Sequence, residues 1–384
     1  MLPDKLRKKL IERDVQNALR TLDATHHDRV DFSSNDYLGF SKSQTIYQGA
    51  AAVLKDFGLE RNGATGSRLL SGNHALYEET EAAIARFHQV ETALIFNSGY
   101  DANVGLISSI PQRGDVVLYD ALCHASIRDG IKMSHAKAYK FLHNDCEDLR
   151  KILHSLREKF KNNDQEIYIV TESVFSMDGD SPDLVQMSKL AGEFNAFLII
   201  DEAHAIGVLG SQGEGLVQQL GLEKDVFARV VTFGKALGCH GAAILGTNEL
   251  KQYLINFARS FIYSTGLAPH SIATINVSYQ HLKNSNNNIL SLNSNITFFK
   301  SCIIKMGIDS HFIDSESAIQ SCLVSGNDNV KELSAMLLKN KFDVRPILSP
   351  TVPKHQERLR ICLHSYNTKI QIENMLSLIT GYLS

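Results

Sequence analysis

The sequence predicts an α/β protein, with a mostly parallel sheet in a large domain and a smaller C-terminal α+β domain. Three observations carry this. Short, continuous apolar runs recur between residues 93 and 245, such as Ala93-Leu-Ile-Phe96, Ile167-Tyr-Ile-Val170 and Phe197-Leu-Ile-Ile200. Runs of this kind belong to strands buried on both faces, as in a parallel sheet covered by helices. Stretches with helical spacing separate them, so strand and helix alternate. The length of 384 residues exceeds one ordinary core and suits a large domain with a smaller one.

The elements follow in order. Residues 2–22 read as a charged amphipathic helix ending in Ala18-Leu-Arg-Thr21. Val30-Asp-Phe-Ser-Ser-Asn-Asp-Tyr-Leu-Gly39 is a short strand running into a polar turn. Arg61-Asn-Gly-Ala-Thr-Gly-Ser-Arg-Leu-Leu-Ser-Gly72 is rich in glycine and hydroxyls. It lacks the GxxxxGK[ST] pattern and no strand leads into it, which excludes a Walker-type nucleotide site. A flexible active-site loop is expected instead. Tyr77, Thr80, Ile84 and Phe87 lie on one helical face.

Strands are then expected at 93–96, 115–119, 136–142, 167–170 and 197–200. Helices are expected from Asn97 through Ile110, and at 124–134, 146–160 and 184–194. Two further strands, Phe227–Val231 and Ala242–Leu245, flank the polar turn Thr232-Phe-Gly-Lys-Ala-Leu-Gly238. The Asn-rich stretch 284–295 breaks the pattern near the start of the last domain. Beyond it, 318–324, 344–348 and 359–363 read as strands, and 330–340 and 370–383 as helices. The expected division is an N-terminal helix and strand segment (1–40), a large domain (41–285) and the C-terminal domain (286–384).

Composition narrows the function. Hydrophobic content of 43% and charged content of 21% are ordinary for a globular protein. A net charge of -3 gives no sign of a nucleic-acid partner. No apolar stretch approaches the roughly 20 residues of a membrane span, and no signal-peptide core follows Met1. Six scattered cysteines without a CxxC pair suggest reduced thiols in the cytoplasm and no metal site.

In an open parallel sheet, ligands bind beyond the carboxyl ends of the strands. Polar residues gather there in this sequence. Lys235 sits in the turn between two apolar strands, and taken alone fits either an ordinary loop lysine or a desolvated one that acts as a nucleophile or base. Ser98-Gly99-Tyr100 opens a helix, either as an anion site or as a plain N-cap. Asp201 emerges from the Leu-Ile-Ile run and His204 follows three residues on, a constellation that equally fits a cap and a loop histidine. His124 follows another strand and could cap a helix. Glu172, Ser176 and Asp178 follow the strand at 167–170.

Pyridoxal phosphate chemistry uses all of these together. It needs a lysine to hold the cofactor, a carboxylate at the pyridine nitrogen and a donor at the ring oxygen. It also needs an aromatic over the ring, and N–H and hydroxyl groups for the phosphate. Lys235, Asp201, His204, His124 and the Ser98-Gly99-Tyr100 helix start fill these roles, and Thr232 adds a hydroxyl.

Asn97-Ser-Gly-Tyr100, Thr171-Glu-Ser-Val-Phe-Ser-Met-Asp-Gly-Asp180, Asp201-Glu-Ala-His204 and Thr232-Phe-Gly-Lys-Ala236 together resemble the α-oxoamine synthases. These are a branch of the fold-type I pyridoxal phosphate-dependent transferases, and the likeness runs from Ser33 to the C-terminus. It implies that Lys235 carries the cofactor, Asp201 pairs with the ring nitrogen, and His204 and Ser176 bond the ring oxygen. It also implies that His124 stacks on the ring, while Ser98, Gly99, Tyr100, Glu172 and Thr232 belong to the cofactor shell. Ser264 and Thr265 resemble the segment reaching the partner subunit's phosphate, which implies a homodimer with shared active sites. Asn35 and Arg360 match groups holding the amino-acid carboxylate, and Arg20 and Thr351 match the lining of the acyl-thioester site.

The implied reaction is a decarboxylative condensation of an amino acid with an acyl thioester. Ser33-Ser-Asn-Asp-Tyr-Leu-Gly39, Gly66-Ser-Arg-Leu-Leu-Ser-Gly72, Tyr263-Ser-Thr265 and Pro350-Thr-Val-Pro353 resemble the biotin-pathway branch, which uses L-alanine and a pimeloyl thioester. Siblings that take glycine or serine with other acyl groups share nearly every residue named. Cys239-His240 departs from the family pattern and receives no role. A nicotinamide dehydrogenase is disfavoured, since no GxGxxG follows a strand.

Overall fold

The computed structural model describes residues 2–20, 22, 28–160 and 165–384. In chain order come α1 (Asp4–Val15), β1 (Val30–Asp31), α2 (Gln44–Asp56) and α3 (Ala75–Phe87). Next are β2 (Thr92–Phe96), α4 (Gly99–Ser109), β3 (Val116–Asp120), α5 (Ala125–Met133), β4 (Lys137–Phe141) and α6 (Cys146–Lys159). Then follow β5 (Ile167–Glu172), α7 (Leu184–Glu193), β6 (Phe197–Asp201), α8 (Leu216–Gln219), β7 (Ala228–Thr232) and β8 (Ala242–Gly246). Four helices follow: α9 (Asn248–Phe257), α10 (Arg259–Ile262), α11 (Pro269–Lys283) and α12 (Asn286–Lys305). The chain ends with β9 (Ile319–Leu323), α13 (Asn327–Lys339), β10 (Phe342–Asp343), β11 (Arg345–Ile347), β12 (Arg358–Cys362) and α14 (Lys369–Leu383).

The larger compact unit holds residues 36–176 and 181–289. Its seven-stranded sheet has the order β2-β8-β7-β6-β5-β3-β4. β8 pairs antiparallel with both β2 and β7, and every other pairing is parallel. Successive strand residues point to opposite faces. Val170 and Ile199 therefore pack with Leu106, Ile127, Leu254 and Phe261 on one side. Ile169 and Ile200 pack with Leu149, Leu153, Met187 and Leu190 on the other. The apolar runs are continuous because both faces are covered.

The smaller unit gathers the described residues of 1–35 with 177–180 and 290–384. It contains the antiparallel sheet β11-β12-β9 and the parallel pair β1-β10. α1 is shorter than the helix expected over 2–22. It ends at Val15, and Asn17 turns out of the helix with φ +50. Thr21, the expected last residue, lies outside the described residues. The Asn-rich stretch is no break but the first half of α12, which buries Ile289, Leu292, Ile296, Phe299 and Ile303 at helical spacing. Among the described residues, no helix is long and apolar enough to cross a membrane.

Candidate active site

The parallel strands of the larger unit deliver their following turns to one edge of the sheet. β3, β5, β6 and β7 end at Asp120, Glu172, Asp201 and Thr232. Glu172 lies opposite Asp201, and Ala242, where the antiparallel β8 begins, lies opposite both Phe96 and Thr232. The turns carrying Ser98, His124, Ser176, His204 and Lys235 thus share that edge.

Asp201 is only 5% exposed. A buried carboxylate needs donors. Its Oδ2 accepts from Asn103 Nδ2 at 2.7 Å and its Oδ1 from the Ala203 N–H at 2.9 Å. Asn103 is buried inside α4 and was not assigned a role from sequence. Glu172 is also buried, and accepts the His124 backbone N–H at 2.6 Å. Burial first, and the charge of Asp201 second, push the Glu172 carboxyl up to about 8, while Lys235 opposes the shift.

His124 caps α5. Its Nδ1 accepts the Ser126 N–H at 3.2 Å and lies 2.7 Å from Ser126 Oγ. Desolvation holds its imidazole below the usual range, against the pull of Asp201. His204 is buried, with Nδ1 2.7 Å from the hydroxyl of Tyr37. Tyr37 is fully buried and stands in the Asn-Asp-Tyr-Leu-Gly motif, the one sequence signal that could have found it.

Ser98 is the N-cap of α4. Its hydroxyl accepts the Asp101 N–H at 3.0 Å and donates to Asp101 Oδ2 at 2.9 Å. The N–H groups of Gly99 and Tyr100 lie in the first turn, where the helix offers no acceptor. A Cβ on Gly99 would stand 2.6 Å from Thr232 Cγ2, so the helix start rests directly on the end of β7. Tyr100 is half exposed, and its hydroxyl donates to Asp129 Oδ2 at 2.7 Å.

The Lys235 turn is closed by hydrogen bonds from Phe233 N to Gly241 O (2.9 Å), Cys239 N to Phe233 O (2.7 Å) and Gly238 N to Lys235 O (2.8 Å). Gly238 has φ +62, and a Cβ there would lie 2.2 Å from Ser41 N. Only glycine fits both the dihedral and the space. Lys235 itself is half-buried. The Cys239 thiol lies 3.0 Å from Ser278 Oγ, and burial pushes it up to about 12, so it stays protonated.

Ser176 is half-buried in the turn after β5. Thr265 forms a β-bridge with Ser67, its carbonyl accepts from Asn97 Nδ2 at 2.7 Å, and Ser264 is its half-buried neighbour. The glycine-rich loop of 61–72, expected to be flexible, is pinned at its centre. Arg68 bonds Glu81 Oε1 at 2.5 Å and lies 3.9 Å above the Tyr77 ring.

In the smaller unit, Arg360 Nη2 donates to Asn35 Oδ1 at 2.9 Å. Arg20 Nη2 donates to Thr351 Oγ1 at 3.3 Å, joining residues 331 positions apart. Both expected substrate pairs are therefore in contact. Arg358, buried beside Arg360 on β12, forms an ion pair with Asp178 and was not assigned a role from sequence.

The donor set fits pyridoxal phosphate. Asp201 offers a buried, fixed carboxylate to a ring nitrogen. The Gly99–Thr232 contact leaves no room for a larger residue at the helix start, where two N–H groups and a hydroxyl meet. Lys235 supplies the amine on the same sheet edge.

The aminotransferase class I and II family profile matches residues 27–379. The chain is 38% identical over 395 residues to 8-amino-7-oxononanoate synthase of Emericella nidulans, across 100% of this chain and 96% of that one. Among solved structures, 8-amino-7-oxononanoate synthase of Francisella tularensis is 30% identical, with a TM-score of 0.78 over 92% of this chain and 98% of that one. Serine palmitoyltransferase of Sphingomonas wittichii is 26% identical, with a TM-score of 0.90 over 100% of this chain and 98% of that one, and a structure of SPT with a PLP internal aldimine gives the same figures.

Proposed function

The chain belongs to the class I and II aminotransferases, in their α-oxoamine synthase branch, and on that premise we propose that it condenses L-alanine with a pimeloyl thioester. Carbon dioxide and the thiol leave, and the product is 8-amino-7-oxononanoate, a biotin precursor. The enzyme is a pyridoxal phosphate-dependent acyltransferase. The observation that carries the choice of substrates is the full-length similarity to the Emericella synthase.

Lys235 holds the cofactor, which when bound supplies an electron sink for the bonds broken at the amino-acid α-carbon. Asp201, fixed by Asn103 and the Ala203 N–H, keeps a proton on the ring nitrogen. His204 and Ser176 bond the ring oxygen, and Tyr37 orients His204. Ser98, Gly99, Tyr100 and Thr232 receive the phosphate, with Ser264 and Thr265 supplied across a homodimer. Glu172 supports His124 from beneath. Arg360 and Asn35 take the alanine carboxylate, since a guanidinium matches a carboxylate in two-point geometry. The Lys235 amine then removes the α-proton and later returns one to the same carbon. His124 donates to the thioester carbonyl oxygen as charge develops there. Arg20 and Thr351 line the acyl site, where a guanidinium suits the far carboxylate of a pimeloyl chain.

A sibling reaction on serine or glycine is the second reading. The TM-score of 0.90 to serine palmitoyltransferase favours it. Steady-state kinetics with alanine, serine and glycine, each paired with pimeloyl-, palmitoyl- and acetyl-CoA, separate the two. Alanine with pimeloyl-CoA is expected to give the highest kcat/KM. A higher value for another pair moves the assignment to that sibling, and silence with every pair would mean an inert cofactor-binding scaffold.

A further inference from the structure

Four side chains form one line of hydrogen bonds through the larger unit. Asp201 Oδ2 accepts from Asn103 Nδ2 at 2.7 Å. The same Asn103 nitrogen donates to Ser126 Oγ at 3.0 Å. Ser126 Oγ lies 2.7 Å from His124 Nδ1, and the Ser126 backbone N–H reaches that nitrogen at 3.2 Å. Asn103 and Ser126 are 2% and 0% exposed, so water does not interrupt the line.

The bonds at the two ends of the line set the directions. An ionised carboxylate only accepts. Asn103 must therefore turn its NH2 toward Asp201, and the second N–H of that group points at Ser126. A hydroxyl keeps a second lone pair, so the direction of the Ser126–His124 bond is set at the other end, by the Ser126 backbone N–H. The backbone N–H can only donate, and it converges on the same nitrogen. Nδ1 is thus a lone pair receiving two donors, and the imidazole proton stands on Nε2.

We propose that the backbone N–H and the hydroxyl of Ser126, the latter oriented by Asn103 and Asp201, fix His124 as the neutral Nε2–H tautomer, so that His124 meets its ligand as a neutral hydrogen-bond donor. Asn103 and Ser126 are positioning residues in this scheme. The groups facing the imidazole oppose one another: Asp201 and Asp129 favour its protonation, while Lys235 and Arg128 disfavour it. Glu172 meets only the backbone N–H. What the Nε2–H meets, a thioester carbonyl, rests on the proposed function; the tautomer itself does not.

The test is made on the holoenzyme without substrate, with histidine labelled at ring carbon Cδ2, whose resonance separates the two neutral tautomers. His124→Gln assigns the signal. Wild type is expected to show the Nε2–H form through neutral pH. Ser126→Ala and Asn103→Leu keep the backbone donor but remove or release the hydroxyl, and are expected to lower the share of the Nε2–H form and to raise the pH at which the ring protonates. An unchanged spectrum of the other histidines shows that each variant is folded. An Nδ1–H signal in wild type, or a folded Ser126→Ala and Asn103→Leu pair with the wild-type His124 resonance and titration, overturns the proposal. Neither outcome bears on which amino acid or thioester is turned over.

Discussion

At Glu172, burial, a neighbouring carboxylate and a nearby lysine act on one carboxyl group. Burial dominates and raises its pKa to about 8 from an ordinary 4.5. Between those values the folded chain binds a proton that the unfolded chain has released. Stability therefore falls as pH rises across that window, the sign expected for a raised carboxyl. The contribution of the neutral form is complete below 4.5 and lost on passing through 8. Glu172→Gln is neutral throughout and keeps an oxygen for the His124 N–H. Urea unfolding of the cofactor-free proteins at a series of pH values checks this. Wild type should lose stability relative to the variant by on the order of a few kcal/mol across the window. Parallel curves would refute it. At this scale, the residues legible in sequence were those carrying chemistry of their own: Lys235, Asp201, His124 and His204. Asn103, an amide among the apolar residues of α4, and Tyr37, a phenol in the polar Asn35–Gly39 turn, were not, because each shows its partner only once the chain has folded.

Helix α4 and strand β7 meet at Gly99 and Thr232, and that contact sets where the helix start sits. An added methyl at Gly99 would fall 2.6 Å from Thr232 Cγ2, closer than packed carbons approach. Gly99→Ala should tilt the helix start away from the strand end and weaken cofactor binding by about tenfold or more, since overpacking costs roughly 1–3 kcal/mol. Thr232→Ser removes Cγ2 while keeping the hydroxyl. The double variant should recover most of the lost affinity, measured by titrating apoprotein with pyridoxal phosphate. Equal affinity in wild type and Gly99→Ala would mean that the helix start takes no part.

Most strands of the large sheet were readable because they are apolar on both faces, as the Leu198-Ile-Ile200 run shows, whereas the edge strand β4 exposes Lys137 through Lys140. Helix α12 was not readable, because its first turn carries Asn286, Asn287 and Asn288 ahead of the buried Ile289, Leu292 and Ile296. Low helix propensity masked a correct apolar period, and packing overrode it. Helices α2, α9 and α11 lie in stretches for which the sequence reading carries no expectation.

For the whole molecule, the telling surface lies beside the Ser67–Thr265 bridge. Leu69, Leu70 and Tyr263 are 49%, 84% and 72% exposed on the single chain, flanking the segment assigned to a partner's phosphate. Large apolar side chains clustered in this way mark a protein interface. A second copy is the occupant expected, because Ser264 and Thr265 would then complete a site that Lys235 of the other chain anchors. This predicts complementation between two inactive chains. Lys235→Ala lacks the cofactor lysine, and Ser264→Ala/Thr265→Val lacks the donated hydroxyls. Co-expression with different affinity tags followed by purification through both retains only mixed dimers. In each, one site has both defects and the other has none, so about half of wild-type turnover should return. If every site were built within one chain, each site of the mixed dimer would keep one defect, and the dimer would be as inactive as its parents.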